Sequence, residues 1–188
     1  GLHQEEILLL NEMAQKLRKK RFSKGAINFS SQEVRFQLDE KGVPIGIVVK
    51  ESKESHQLIE EFMLLANRTV AENIAKQHIN KKPIPFPYRV HDQPDEEKLA
   101  PFIQYAKRYG HSFDISTPQA IAHSFNGMLA DAHGKPEQHV LEQLGIRTMA
   151  KAIYTPENIG HYGLAFEHYC HFTSPIRRYP DLLVHRGI

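Results

Sequence analysis

The chain has 188 residues, 40% hydrophobic and 24% charged, enough for one domain with a sizeable core. Its longest apolar runs are short, as at residues 7–10, so no segment reads as a membrane span, and no basic-apolar-small leader opens it. The net charge of +2 and pI of about 8.6 do not by themselves imply nucleic acid. The single cysteine, Cys170, excludes an internal disulfide framework and fits a reducing cytoplasm.

Residues 2–20 carry Ile7, Leu10, Met13 and Leu17 at helical spacing, and Ser23 and Gly25 stop that helix. Lys16, Arg18, Lys19, Lys20, Arg21 and Lys24 form a basic cluster, a pattern more often a solvated helix face than a binding site. Residues 26–38 are strand-like. Ile27 and Phe29 alternate in one phase and Val34, Phe36 and Leu38 in the other, which predicts a bend between Phe29 and Val34. A turn at residues 39–42 and a return strand at 43–50 complete an early hairpin.

Ser55 predicts the N-cap of a long helix to about Lys76, with Ile59, Met63, Ala66, Val70 and Ile74 as its buried stripe. The proline-rich residues 83–87 force an extended connection into a short strand at 88–91. Asp92 and Pro94 announce a helix to about Tyr109. Thr117-Pro118 pairs an N-cap with proline at the first helical position, and a further helix covers 136 to about 152. Residues 160–172 are aromatic and irregular, and Ser174-Pro175 starts the last helix. Strands early, helices in the middle and a compact end predict an α+β fold.

That compact end carries the chemistry. With Ser174 as N-cap, Arg177 and Arg178 fall in the first helical turn, where a cation opposes the helix dipole. Two arginines there make sense if an anion is bound, and phosphate suits both guanidinium and helix N-terminus. A buried pair with a carboxylate is the alternative. Arg177, Asp181 and His185 are spaced four apart, so one helix face places Asp181 beside Arg177, either orienting it or forming an ordinary salt bridge.

The run His161-Tyr162-Gly163-Leu164, Tyr169, Phe172-Thr173-Ser174-Pro175-Ile176-Arg177-Arg178-Tyr179, Asp181 and His185 resembles the signature of the ribonuclease II family. Gly25-Ala26-Ile27-Asn28-Phe29, the helix segment 58–67, residues 88–94, 147–154 and 158–161 resemble other landmarks of that family in the same order. The resemblance covers nearly the whole chain and lies closest to the bacterial ribonuclease R branch. Cys170 is a small departure from the family pattern, expected to be tolerated as a small buried residue.

The resemblance implies a mixed RNB-type catalytic domain, of which residues 1–188 are a part cut at both ends. It implies hydrolytic, processive 3'→5' degradation of single-stranded RNA ends to nucleoside 5'-monophosphates. Magnesium held by an aspartate cluster would activate water and neutralise phosphate charge, with no other small-molecule cofactor. Arg177 matches the family's catalytic arginine, with Ser174 and Arg178 beside it at the phosphate. Phe29 matches an aromatic that stacks on a base, and Glu60, or otherwise Glu61, a carboxylate near the sugars that favours RNA through the 2'-OH. Bland readings compete, since a strand phenylalanine is often core and a glutamate near a helix start often compensates the dipole.

The aspartates Asp39, Asp92, Asp95, Asp114, Asp131 and Asp181 form no close acidic motif. The metal ligands are therefore expected outside this chain, and the isolated chain is expected to be inactive. Two other readings remain. One is a non-catalytic RNA-binding module. The other is a zinc enzyme drawing on the twelve histidines, which the i, i+3 pair His168 and His171 supports weakly.

Overall fold

The computed structural model describes residues 2–29, 33–50, 53–79 and 81–188. Helix α1 (Gln4–Ser23) precedes a hairpin of β1 (Glu33–Leu38) and β2 (Pro44–Lys50), then helix α2 (Glu54–Ala75). Short strands β3 (His78–Ile79), β4 (Lys82–Pro83) and β5 (Tyr88–Val90) lead into helices α3 (Glu96–Lys107), α4 (Pro118–Ala132) and α5 (Gln138–Thr148). Strand β6 (Ile153–Thr155) and helix α6 (Tyr179–Gly187) close the chain. The fold is α+β. Its strands pair as three antiparallel two-stranded sheets among the described residues. Among those residues no helix is long and apolar enough to cross a membrane.

Local signals explain several boundaries. Thr117 Oγ1 accepts the Ala120 N–H at 3.0 Å, and Pro118 opens α4 behind it. Asp95, not Asp92, caps α3 by accepting from Glu97 N–H at 3.0 Å. Helix α2 starts before Ser55, because His56 Nδ1 accepts the Lys53 N–H at 3.3 Å. Helix α5 stops at Thr148 rather than near residue 152, since the Thr148 carbonyl accepts from Asp95 N–H at 2.9 Å and Met149 turns extended. Residues 26–29 belong to no strand. They are pinned instead by Ile27 N–H to the Gly163 carbonyl and by Asn126, whose side chain bonds both Ala26 and Asn28. The expected bend falls on residues 30–32, outside the described residues.

Two apolar cores result among the described residues. The first joins α3, α4 and α5, where Phe125 meets the rings of Phe29, Phe102 and Phe113 at 5.0–5.7 Å; each such pair contributes about 0.5–1.5 kcal/mol beyond its area. The second packs Ala71 and Ile74 of α2 against Phe86, Tyr88, Val90, Cys170 and Val184 of α6. It seats the C-terminal segment on α2 and on the β5–β6 pair. Hairpin residues Phe36, Leu38, Ile45 and Ile47 are exposed by contrast, each more than half.

The buried face of α2 differs from the apolar stripe the sequence marks. Glu61, Leu64, Asn67, Ala71 and Ile74 point inward while Ile59 is exposed. Two of these inward residues are polar, so a search for apolar periodicity passes over them. The last helix also differs: it begins at Tyr179, with Arg178 extended at its N-cap. A helix from Pro175 would put Pro180 in its second turn, where proline has no N–H to give and its ring clashes with the preceding turn. The chain instead makes a turn over residues 175–177 and restarts with Pro180 in the first helical turn.

Candidate functional site

The segment from His161 to Asp181 is built on two supports. The first is β5 and the residue after it. His91 N–H donates to the Gly160 carbonyl, Tyr162 N–H donates to the His91 carbonyl, and Gly163 N–H donates to His91 Nδ1 at 3.0 Å. Arg89 N–H donates to the Tyr169 carbonyl at 2.8 Å. The second support is α2. Asn67 Oδ1 accepts the N–H groups of Phe172 and Thr173, and Asn67 Nδ2 donates to the Tyr169 hydroxyl. Helix α6 adds His185, whose Nε2 donates to the Phe172 carbonyl at 2.9 Å while its ring stacks on Phe172 at 4.2 Å.

Beyond Thr173 the two arginines part company. Asp181 is fully buried, and its Oδ1 accepts both the Ser174 N–H and Arg178 Nη2, each at 2.8 Å. The expected partnership of Asp181 with Arg177 is therefore corrected: Asp181 pairs with Arg178, because Arg177 lies in the turn before α6 and not four residues back on a helix. Arg178, expected at the phosphate, is held inward with its side chain 22% exposed. Arg177 is exposed and forms no ion pair among the described residues. Its Nη2 donates to Ser174 Oγ at 3.3 Å. The turn thus presents one guanidinium outward and neutralises the other.

Glu61 is buried and meets Arg18 and Arg21, which cross from α1. Glu60 is half exposed, 3.7 Å from Arg21. Phe29 is half-buried against Phe125, with the remainder of its side chain at the surface. Beside the segment, α1, α2 and residues 158–167 line a cleft of about 820 Å³ that includes Lys20, Lys24, Arg68 and Phe166.

Two histidines of this region, His161 and His171, are partly buried. Burial, followed by neighbouring His91, pushes His161 down to about 3, and burial pushes His171 down to about 4. Burial raises the Cys170 thiol to about 12, so it stays protonated. Both histidines take up protons more readily unfolded, at the ordinary value of 6.5, than folded. Their contribution to stability is full above about pH 6.5 and is lost as pH falls toward 4 and then 3. The melting temperature is expected to stay level above neutrality and to drop progressively below pH 6.5. A level profile down to pH 4 would contradict this placement.

The RNB domain model matches residues 2–188. The chain belongs to the RNB-domain family. This RNB chain is 39% identical over 183 residues to ribonuclease R of Aquifex aeolicus, covering 97% of the chain and 25% of that protein. It is 41% identical over 187 residues to DIS3-like exonuclease 2 of Schizosaccharomyces pombe, covering 96% of the chain and 20% of that protein. Its fold is similar to Mycoplasma genitalium RNase R in complex with ribose-methylated single-stranded RNA, with a TM-score of 0.82 and 31% identity. That match covers 96% of this chain and 27% of the other. The RNB chain thus spans about a quarter of the length of curated relatives such as the Aquifex protein.

The residues Ser174, Arg177, Arg178 and Asp181 stand in the run that the sequence singles out. Asn67 and the buried state of Asp181 were not legible there, because their partners lie across the fold or on a turn that the helical spacing did not predict.

Proposed function

We propose that this chain is part of the catalytic domain of a hydrolytic, processive 3'→5' exoribonuclease that acts on single-stranded RNA ends and releases nucleoside 5'-monophosphates. The exposed Arg177, held by its turn without a carboxylate partner among the described residues, carries this reading. An outward guanidinium in a fixed backbone is suited to a phosphate oxygen and to the negative charge that grows there during displacement. Ser174 Oγ steadies it, and Arg178 with Asp181 fixes the turn from within. At the proposed RNA path, Glu60 accepts from a ribose 2'-OH and Phe29 offers part of its ring to a base. The buried Glu61, engaged by two arginines, is a structural residue in this reading.

This reading includes magnesium as the metal of the longer protein. Among the described residues no three His, Cys, Asp or Glu side chains come together to hold a metal ion. In this reading the aspartates that bind the ion belong to the longer protein. The same grouping gives the zinc reading no ligand set among the described residues.

The test is product length from 5'-labelled single-stranded RNA with magnesium, using the full-length protein beside the 188-residue chain. A ladder shortening from the 3' end with the full-length protein, and intact RNA with the chain alone, is the expected result. Intact RNA with both, together with retained binding, would replace this reading by a non-catalytic RNA-binding module. Degradation by the chain alone, free of contaminating nuclease, would show that its own carboxylates suffice.

A further inference from the structure

We infer that Asn67 of α2 is a positioning residue for Arg177, fixing the upstream end of the turn that presents its guanidinium. The inference rests on the reading of Arg177 as the phosphate-binding arginine. Asn67 is 3% exposed in the middle of α2. Its Oδ1 accepts from Phe172 N–H at 3.0 Å and Thr173 N–H at 3.2 Å, and its Nδ2 donates to the Tyr169 hydroxyl at 3.0 Å. Its backbone carbonyl accepts from Cys170 Sγ at 3.2 Å. One helical residue therefore holds four members of the segment directly ahead of Ser174, whose own Oγ contacts Arg177.

Asparagine is a poor choice for a helix interior, where leucine or alanine serves burial better. The amide has a use that no apolar residue shares. Phe172 and Thr173 run outside any strand or helix, and their N–H groups need an acceptor in the interior. The downstream end of the same turn is fixed by Asp181, whose Oδ1 accepts from Arg178 Nη2 at 2.8 Å as well as from Ser174 N–H. Asn67 and Asp181 thus grip the arginine turn from opposite ends, and loosening one end frees the guanidinium to drift.

The test is single-turnover RNA cleavage by the full-length protein, with melting temperatures measured alongside. Asn67→Leu removes the acceptor at similar volume, and a displacement of about 1 Å is expected to slow cleavage on the order of 100-fold. Asn67→Asp keeps an acceptor for both amides and lets the Tyr169 hydroxyl donate to it, so it is expected to recover most of the rate. In an Arg177→Ala background, Asn67→Leu is expected to cost nothing further, because its effect passes through an arginine that is gone. If Asn67→Leu does not fold, Asn67→Ser takes its place with the same expectation. Multiplying costs in the double variant, or an Asp variant as slow as the Leu variant, would overturn the inference and leave the exoribonuclease reading intact. Full cleavage by Arg177→Ala would overturn both.

Discussion

Replacing Glu61 by alanine is expected to destabilise the chain by about 3–5 kcal/mol, the range for removing one partner of a buried ion pair. The Glu61 side chain is 3% exposed and that of Arg21 5%, so the arginine left behind has little access to water. Arg18, 17% exposed, loses the same partner. The remaining carboxylate, Glu60, sits 3.7 Å from Arg21 and is half in solvent, which limits its compensation. The cluster joins α1 to α2, so its loss is expected to free α1 first. Thermal unfolding of the chain reads the effect as roughly 10 °C in melting temperature for a domain of this size. A shift of only about 1–2 °C would mean that Arg21 finds water easily and that the cluster is a surface feature.

Replacing Asp181 by alanine is the second large effect, and it falls on stability and activity together. The fully buried carboxylate accepts the Ser174 N–H and neutralises Arg178. Its removal strands a backbone donor and a mostly buried cation, which together cost about 2–4 kcal/mol. It also releases the downstream end of the Arg177 turn. The expected result is a lowered melting temperature together with a cleavage rate that stays low well below that temperature. Asp181→Asn keeps one acceptor for the Ser174 N–H but no charge for Arg178, so it is expected to fall between the two. Wild-type cleavage by folded Asp181→Ala would show that the turn holds its shape without the carboxylate.

The elements that could be read from sequence are those with local causes. Thr117-Pro118 marked α4 because the cap and the first helical residue are neighbours, and that bond forms as expected. The hairpin was legible from its turn and its alternation, and β1 pairs β2 in antiparallel register. The fold class followed from the order of such elements. What escaped the sequence depends on contacts distant in the chain. The end of α5 is set by a bond from Asp95 to Thr148, and the inward face of α2 by Arg21 against Glu61 and by Tyr169 against Asn67. The start of α6 was misplaced because Ser174 looks like a cap, whereas its carbonyl closes a turn and accepts from the N–H groups of both Arg177 and Arg178.

That turn also explains why adjacent arginines are not equivalent. In sequence they are one motif, and both were assigned to phosphate. In the fold, the extended backbone at Arg178 sends its side chain to Asp181 and leaves Arg177 facing outward. Identity and spacing carry the signature, and the break before Pro180 decides which arginine pairs with Asp181 and which faces outward.

In the proposed reading Arg177 meets the phosphate while Arg178 holds the turn. The most direct measurement is the single-turnover RNA cleavage rate of the full-length protein carrying Arg177→Ala, with its melting temperature. Loss of a preorganised charge at the reacting phosphate predicts a fall of about 100- to 1,000-fold, with the melting temperature unchanged because the side chain is exposed. A wild-type rate, or a loss of rate matched by a loss of fold, would contradict the assignment.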